Sequence, residues 1–144
     1  MQGQRHILVI EDNPGDVRLM REALRDMNPP VSMHVAKDGQ EALSFLRRDG
    51  QYARVPRPGL IFLDFNIPRS DSREILGSIK ADERLRIVPV AVLTSSDSEK
   101  DVRDAYQLHA NCFLKKPIDL DAFFTLIRAA AHFWLDVARI PAEF

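Results

Sequence analysis

Several polar residues in this chain stand just past short apolar runs. Glu11 and Asp12 follow Ile7-Leu-Val-Ile10, and Asp64 follows Leu60-Ile-Phe-Leu63. Thr94 closes the run that starts at Val88, and Lys115 and Lys116 follow Asn111-Cys-Phe-Leu114. Gathered in one cleft, they would supply three carboxylates, a hydroxyl and one or two ammonium groups. Carboxylates that close repel, and at least one would have a raised pKa unless a cation neutralised it. Oxygen-only ligands favour a hard divalent cation such as Mg²⁺, which keeps several waters and often adds phosphate oxygens. The set suits phosphoryl transfer, with a carboxylate nucleophile, a metal, a lysine and a hydroxyl around the transferred oxygens.

Whether they gather depends on the elements that carry them. Ile7–Ile10 and Leu60–Leu63 read as strands buried on both faces. Val88–Thr94 reads as a fourth strand with Pro89 near its start, and 111–114 as a fifth. Val31, Met33 and Val35 alternate with polar residues, which predicts a strand near the sheet edge. Between the strands lie helical patterns. Asn13-Pro14 reads as an N-cap and first helical position, with Val17, Met20, Leu24 and Met27 behind it. Others run through Ala42–Leu46, through Glu74–Glu83 after a Ser72 cap, through Val102–Leu108, and from Asp119 to about Arg139. The Gly- and Pro-containing stretch 49–59 is the longest connection.

Five strands, each followed by a helix, predict an α/β fold with a parallel sheet covered on both faces. In such sheets ligands bind outside the carboxyl ends of the strands, at the switch point. Each polar residue also has a plain structural reading: Asp12 as helix-start chemistry, Asp64 as a turn residue, Thr94 as a strand end or cap, the lysines as a solvated pair. Their coincidence at four strand ends of five favours a site.

Composition narrows the class. The 144 residues are 45% hydrophobic and 28% charged, with a net charge of −1. That excludes a disordered chain and argues against nucleic-acid or polybasic membrane binding. Cys112 is the single cysteine, so no intrachain disulfide forms and a reduced, cytoplasmic setting is expected. No apolar run is long enough for a signal peptide or a membrane span.

The strings ILVIEDNP (7–14), LIFLDFNIPRSDSREIL (60–76), VPVAVLTSS (88–96) and FLKKP (113–117) resemble the response-regulator receiver domains of two-component signalling. The resemblance spans roughly residues 5 to 131. It implies a flavodoxin-like doubly wound (βα)5 fold of strand order 2-1-3-4-5. It makes Asp64 the phosphoacceptor for a sensor histidine kinase and Thr94 and Lys116 its catalytic partners. One Mg²⁺ would be held by Asp12, Asp64 and the Asn66 carbonyl, with Glu11 acting largely through water. Pro117 would follow a cis peptide that turns Lys116 inward. Thr94 and Phe113 would form the switch, and Asn66 and Ser96 would tune dephosphorylation. Such a chain catalyses only its own phosphorylation and reset. Receivers often carry Asp-Gly where this chain has Asp71-Ser72, so an altered turn is expected there.

Two rivals are weaker. An aspartyl phosphatase needs a second Asp two residues after its nucleophile, and position 66 is Asn. A degenerate receiver, serving only as an interaction module, would lack a site residue.

The end of the chain is unusual. From Ala122 to Leu135 only Arg128 carries a formal charge, and five of the nine Phe and Trp residues lie at or beyond Phe123. We divide the chain into a receiver, 5–131, and a C-terminal arm, 132–144. HFWLDVARIP (132–141) resembles the tail of single-domain response regulators paired with phytochromes, in which the tails of two subunits embrace. That implies a homodimer using Phe123, Ile127, Phe133, Trp134 and Leu135, with a bacteriophytochrome as a candidate kinase.

Overall fold

The structure is a computed structural model and describes residues 5–67 and 72–141. Its strands are β1 (His6–Ile10), β2 (Ser32–Ala36), β3 (Leu60–Asp64), β4 (Val90–Thr94) and β5 (Cys112–Lys115). Its helices are α1 (Pro14–Arg25), α2 (Gly39–Arg47), α3 (Ser72–Ala81), α4 (Glu99–Gln107) and α5 (Leu120–His132). A 3-10 turn, Gly50–Tyr52, interrupts the long connection, and a π-helical turn, Phe133–Val137, follows α5. All strand pairs are parallel and the order is 2-1-3-4-5, as expected. Register aligns the carboxyl ends: Ile10 sits beside Leu63, Asp64 beside Leu93, and Thr94 beside Lys115.

The sheet is covered on both faces. On one, Leu8, Ile10, Leu63 and Val92 meet Phe45 and Leu46 of α2 and Ile75, Leu76 and Ile79 of α3. On the other, Val9, Phe62 and Leu93 meet Met20 and Leu24 of α1 and Phe123, Ile127 and Ala131 of α5. Every residue of β3 and β4 is buried, whereas the edge strands β2 and β5 are mostly half-buried. α2 and α3 approach so closely at Gly39 that an added Cβ would lie 2.7 Å from Ile75 Cγ1.

Local chemistry sets the boundaries. Asn13 caps α1, its side chain accepting from Gly15 and Asp16 N–H, and Pro14 takes the first helical position. β4 starts two residues later than expected, because Pro89 has no N–H for the ladder. Instead the Val90 N–H donates to Asn111 Oδ1 at 2.8 Å, so Asn111 caps β4 rather than opening β5. α3 begins at Ser72 itself, whose hydroxyl donates to the Asp64 carbonyl at 2.7 Å. Asp71, the other half of the expected altered turn, lies outside the described residues. The last helix stops at His132, short of the expected Arg139. There the backbone widens, and the Ala138 N–H returns to the Phe133 carbonyl. Arg5 ties this turn down by donating to Asp136 and to the Pro29 and Pro30 carbonyls.

At the opposite end from the candidate site, His6 and His34 meet across β1 and β2, with ring nitrogens 3.1 Å apart. His34 also stacks near Phe45. Burial lowers both histidine pKa values, and the charge on His6 lowers that of His34 further. The folded chain therefore resists protonation that the unfolded chain accepts below about pH 6.5. This contribution to stability is complete above that pH and is lost as pH falls below it. Urea unfolding on either side of pH 6.5 should show the loss, and a His6→Gln/His34→Gln chain should lose less.

Candidate functional site

The carboxyl ends of β1, β3, β4 and β5 meet at one edge of the sheet, where the polar residues converge. Lys116 is the hub. Its Nζ lies 3.5 Å from Glu11 Oε1, 3.4 Å from Asp16 Oδ2 and 3.6 Å from Asp64 Oδ2. Oxygens of these three acids all fall within 4.8 Å of one another. Glu11 is 4% exposed and Asp64 is 6% exposed. Beneath them lies an apolar floor of Met20, Phe62, Leu93 and Phe123.

Burial and crowding fix the protonation. The Glu11 carboxyl is pushed up to about 8, first by burial, then by its hydrogen bond to Asp64 and the charge there. Lys116 and the Asn13 N–H, which donates to Glu11 Oε2 at 3.2 Å, oppose that rise only in part. Burial also works against the Lys116 charge, but Asp64, Glu11 and Asp16 outweigh it and hold its pKa above the ordinary lysine value.

Asp64 is oriented by its neighbours. Its Oδ1 accepts the Asn66 backbone N–H at 2.9 Å, which leaves Oδ2 on the Lys116 side. The fully buried Thr94 hydroxyl accepts from Asn66 Nδ2 at 2.7 Å and from the Ser96 N–H at 3.3 Å. Ser96 Oγ turns away from this group and donates to Asp101 Oδ2 of α4 at 2.6 Å. Phe113 is half-buried and meets Phe65 edge to face, ring centroids 6.4 Å apart. Lys115 is the exposed neighbour, paired with Asp97 at 3.0 Å.

The structure thus brings Glu11, Asp64, Asn66, Thr94 and Lys116 together, with the Ser96 N–H on Thr94 but its hydroxyl turned to α4, and Phe113 packed nearby. Asp12 is half-buried and stands outside the convergent acidic trio. Asp16 is the third acid of that trio. It sits in the first turn of α1 and was not singled out from the sequence, although its place just past the carboxyl end of β1 could have flagged it. The Lys116–Pro117 peptide is not cis; among the described residues the cis peptide is Asn28–Pro29. The sheet ladder turns Lys116 inward instead, since its N–H donates to the Thr94 carbonyl at 2.7 Å.

A second correction concerns the C-terminal face. Phe123 and Ile127 are buried in the chain's own core, because positions 123, 127 and 131 form the stripe that faces the sheet. They are not available to a second subunit. Phe133 is 47% exposed, and Trp134 and Leu135 are half-buried.

In the cation-free chain Glu11 contributes stability below its unfolded pKa near 4.5, and that contribution is lost as pH rises through about 8. The sign is opposite to that of the histidine pair. Denaturant titrations across this window should show a Glu11→Gln chain losing less stability on going alkaline, by a few kcal/mol.

A family profile described as the response regulator receiver domain matches residues 7–128. Response regulator Rcp1 of Synechocystis sp. is 40% identical over 136 residues, 94% of this chain and 92% of that protein. The crystal structure of the phosphorylated cyanobacterial phytochrome response regulator RcpA superposes with a TM-score of 0.91 at 40% identity, covering 96% of this chain and 99% of that one. Mn²⁺-bound Rcp1 gives 0.87 with the same identity and coverage. The bacteriophytochrome response regulator AtBRR gives 0.73 at 35% identity, covering 98% and 99%.

Proposed function

The chain belongs to the response regulator receiver domain family, and we propose that it accepts a phosphoryl group from a sensor histidine kinase onto Asp64. The observation that carries this reading is the buried Asp64 carboxylate, aimed at Lys116 and flanked by Thr94 and two further acids.

The chemistry follows from the geometry. Oδ1 is engaged by the Asn66 N–H, so Oδ2 is the attacking oxygen. The Glu11 hydrogen bond to Asp64 must break before the carboxylate can attack. Lys116 then neutralises an oxygen of the incoming phosphoryl group, and Thr94, whose own proton is still free to be donated, turns toward another. The apolar floor keeps bulk water from below the acyl phosphate. Asn66 and Ser96 flank the approach of the hydrolytic water and set the lifetime.

The donor set fits a divalent cation. Three carboxylates converge with one lysine between them, and every donor is oxygen. We assign Mg²⁺ to Asp12, Asp64 and the Asn66 carbonyl, with Glu11 through water and Asp16 added by its position. When bound, it supplies the charge that lets a phosphoryl group enter this acidic cleft. Mn²⁺-bound Rcp1 supports a divalent-metal site. With Mg²⁺ and acetyl phosphate, the intact chain should gain the mass of one phosphoryl group, and Asp64→Asn should gain none. A persistent label on Asp64→Asn would remove the nucleophile assignment.

The relatives suggest the kinase. Both RcpA and AtBRR are phytochrome response regulators, so a phytochrome-type histidine kinase is the proposed donor. Output would pass through protein contacts, including a homodimer. An apolar groove runs between the edge strand β5 and the end of α5, lined by Cys112, Leu114, Leu126, Ala130, Phe133 and Trp134. An unpaired edge beside exposed aromatics suits a self-contact. Sedimentation should show a dimer for the full chain and a monomer for a chain ended after Ala131. Equal sedimentation of the two would remove the arm from the interface.

A further inference from the structure

α4 is attached to this molecule in an unusual way. Ala105 is its one buried residue, so apolar packing holds it weakly. Polar links hold it instead. The Arg73 guanidinium, at the start of α3, forks between Asp101 at 2.6 Å and Asp104 at 2.8 Å. Asp101 in turn accepts the Ser96 hydroxyl at 2.6 Å, and the Ser98 N–H donates to that same hydroxyl at 3.2 Å. Arg73 also lies over the ring of Phe65, 4.7 Å from its centroid, and Phe65 directly follows Asp64. A continuous set of contacts therefore runs from the phosphoacceptor segment through Arg73 and Asp101 to Ser96, whose backbone N–H holds Thr94.

We propose that Arg73 and Asp101 form a resting-state latch that slows phosphoryl acceptance by holding Ser96, and with it the Thr94 hydroxyl that the Ser96 N–H bonds, in the resting arrangement. This inference rests on the reading of Asp64 as phosphoacceptor and concerns how that site is regulated. A Thr94 hydroxyl that turns toward a phosphoryl oxygen leaves the Ser96 N–H unless the segment 94–98 follows it. That segment moves only if Ser96 leaves Asp101 or α4 moves with it, and the Arg73 fork opposes both. Arg73 and Asp101 are positioning residues, since neither reaches the reacting atoms. The fork is partly exposed, which keeps the latch weak enough to open. A chain without it spends more time in the acceptance-ready arrangement, and its loading rate rises with that population.

The test measures loading by acetyl phosphate with Mg²⁺, followed by intact mass. In this reaction the bond from phosphorus to the acetate oxygen breaks, a bond to Asp64 Oδ2 forms, and acetate leaves. Asp101→Asn and Arg73→Gln should each load about three- to tenfold faster than wild type. Because both break the same latch, the double variant should load no faster than either single one. Arg73→Lys, which keeps the charge but not the fork, should fall between wild type and Arg73→Gln. A merely structural role would lower the melting temperature without raising the rate, so rates at or below wild type overturn the latch, as does an additive double variant. If Asp101→Asn or Arg73→Gln fails to fold, Arg73→Lys decides alone by the same criterion. Wild-type chain that takes no label on Asp64 would overturn the phosphoacceptor reading and the latch together. Labelled wild type with unchanged variants would overturn only the latch.

Discussion

Lys116 lies 3.4 to 3.6 Å from three acids, two of them buried, and the rest of the architecture has to make that meeting possible. Glu11 arrives on β1, Asp64 on β3 and the lysine from the end of β5, two strands away from β3. A lysine fits because its charge is compact and its stem is long enough to cross β4. The strand order follows from the same need. With β1 and β3 adjacent, two carboxyls sit side by side and repel, and only a cation or a shared proton makes the pair tolerable. The Lys116 ammonium supplies the cation, and burial beside Asp64 pushes the Glu11 carboxyl up to about 8. The cleft is therefore short of positive charge by construction.

Much of this was legible because it depends on short runs and their ends. A buried strand announces itself as four apolar residues, and in a parallel sheet the next residue is where ligands gather. Asp64, Thr94 and Lys116 were found that way. What escaped depends on side-chain reach or on long-range partners. Asp16 looks like ordinary helix-start acidity until α1 packs and swings it over the strand ends. Two apolar stripes on α5 are equivalent in the sequence, and only docking on the sheet reveals that 123, 127 and 131 face inward. Asn111 reads as the start of a strand, yet its amide serves the neighbouring one, where Pro89 leaves the ladder incomplete. The Arg73 fork joins residues that are unremarkable in isolation and 28 or more positions apart.

The two faces of the sheet are secured differently. α1 and α5 are held by apolar packing across a shared core, helped by the Arg128 side chain donating to the Ala23 carbonyl. On the other face α2 and α3 bury apolar side chains, whereas α4 contributes one buried alanine and a row of carboxylates. Apolar packing tolerates little sliding, because every displacement opens a void. Ion pairs at a partly wet surface can break and re-form at small cost. The division places a movable helix beside the strand that carries Thr94, and immovable ones under the strands that carry the acids.

Arg5 joins parts of the chain that are far apart in sequence. It donates to Asp136 in the last turn and to two carbonyls in the connection between α1 and β2. One guanidinium thereby closes the polypeptide into a ring, with the π-helical turn as its clasp. A partner that claimed Asp136 for itself would leave Arg5 on the Pro29 and Pro30 carbonyls alone, and the C-terminal turn would part from the α1–β2 connection in the same event.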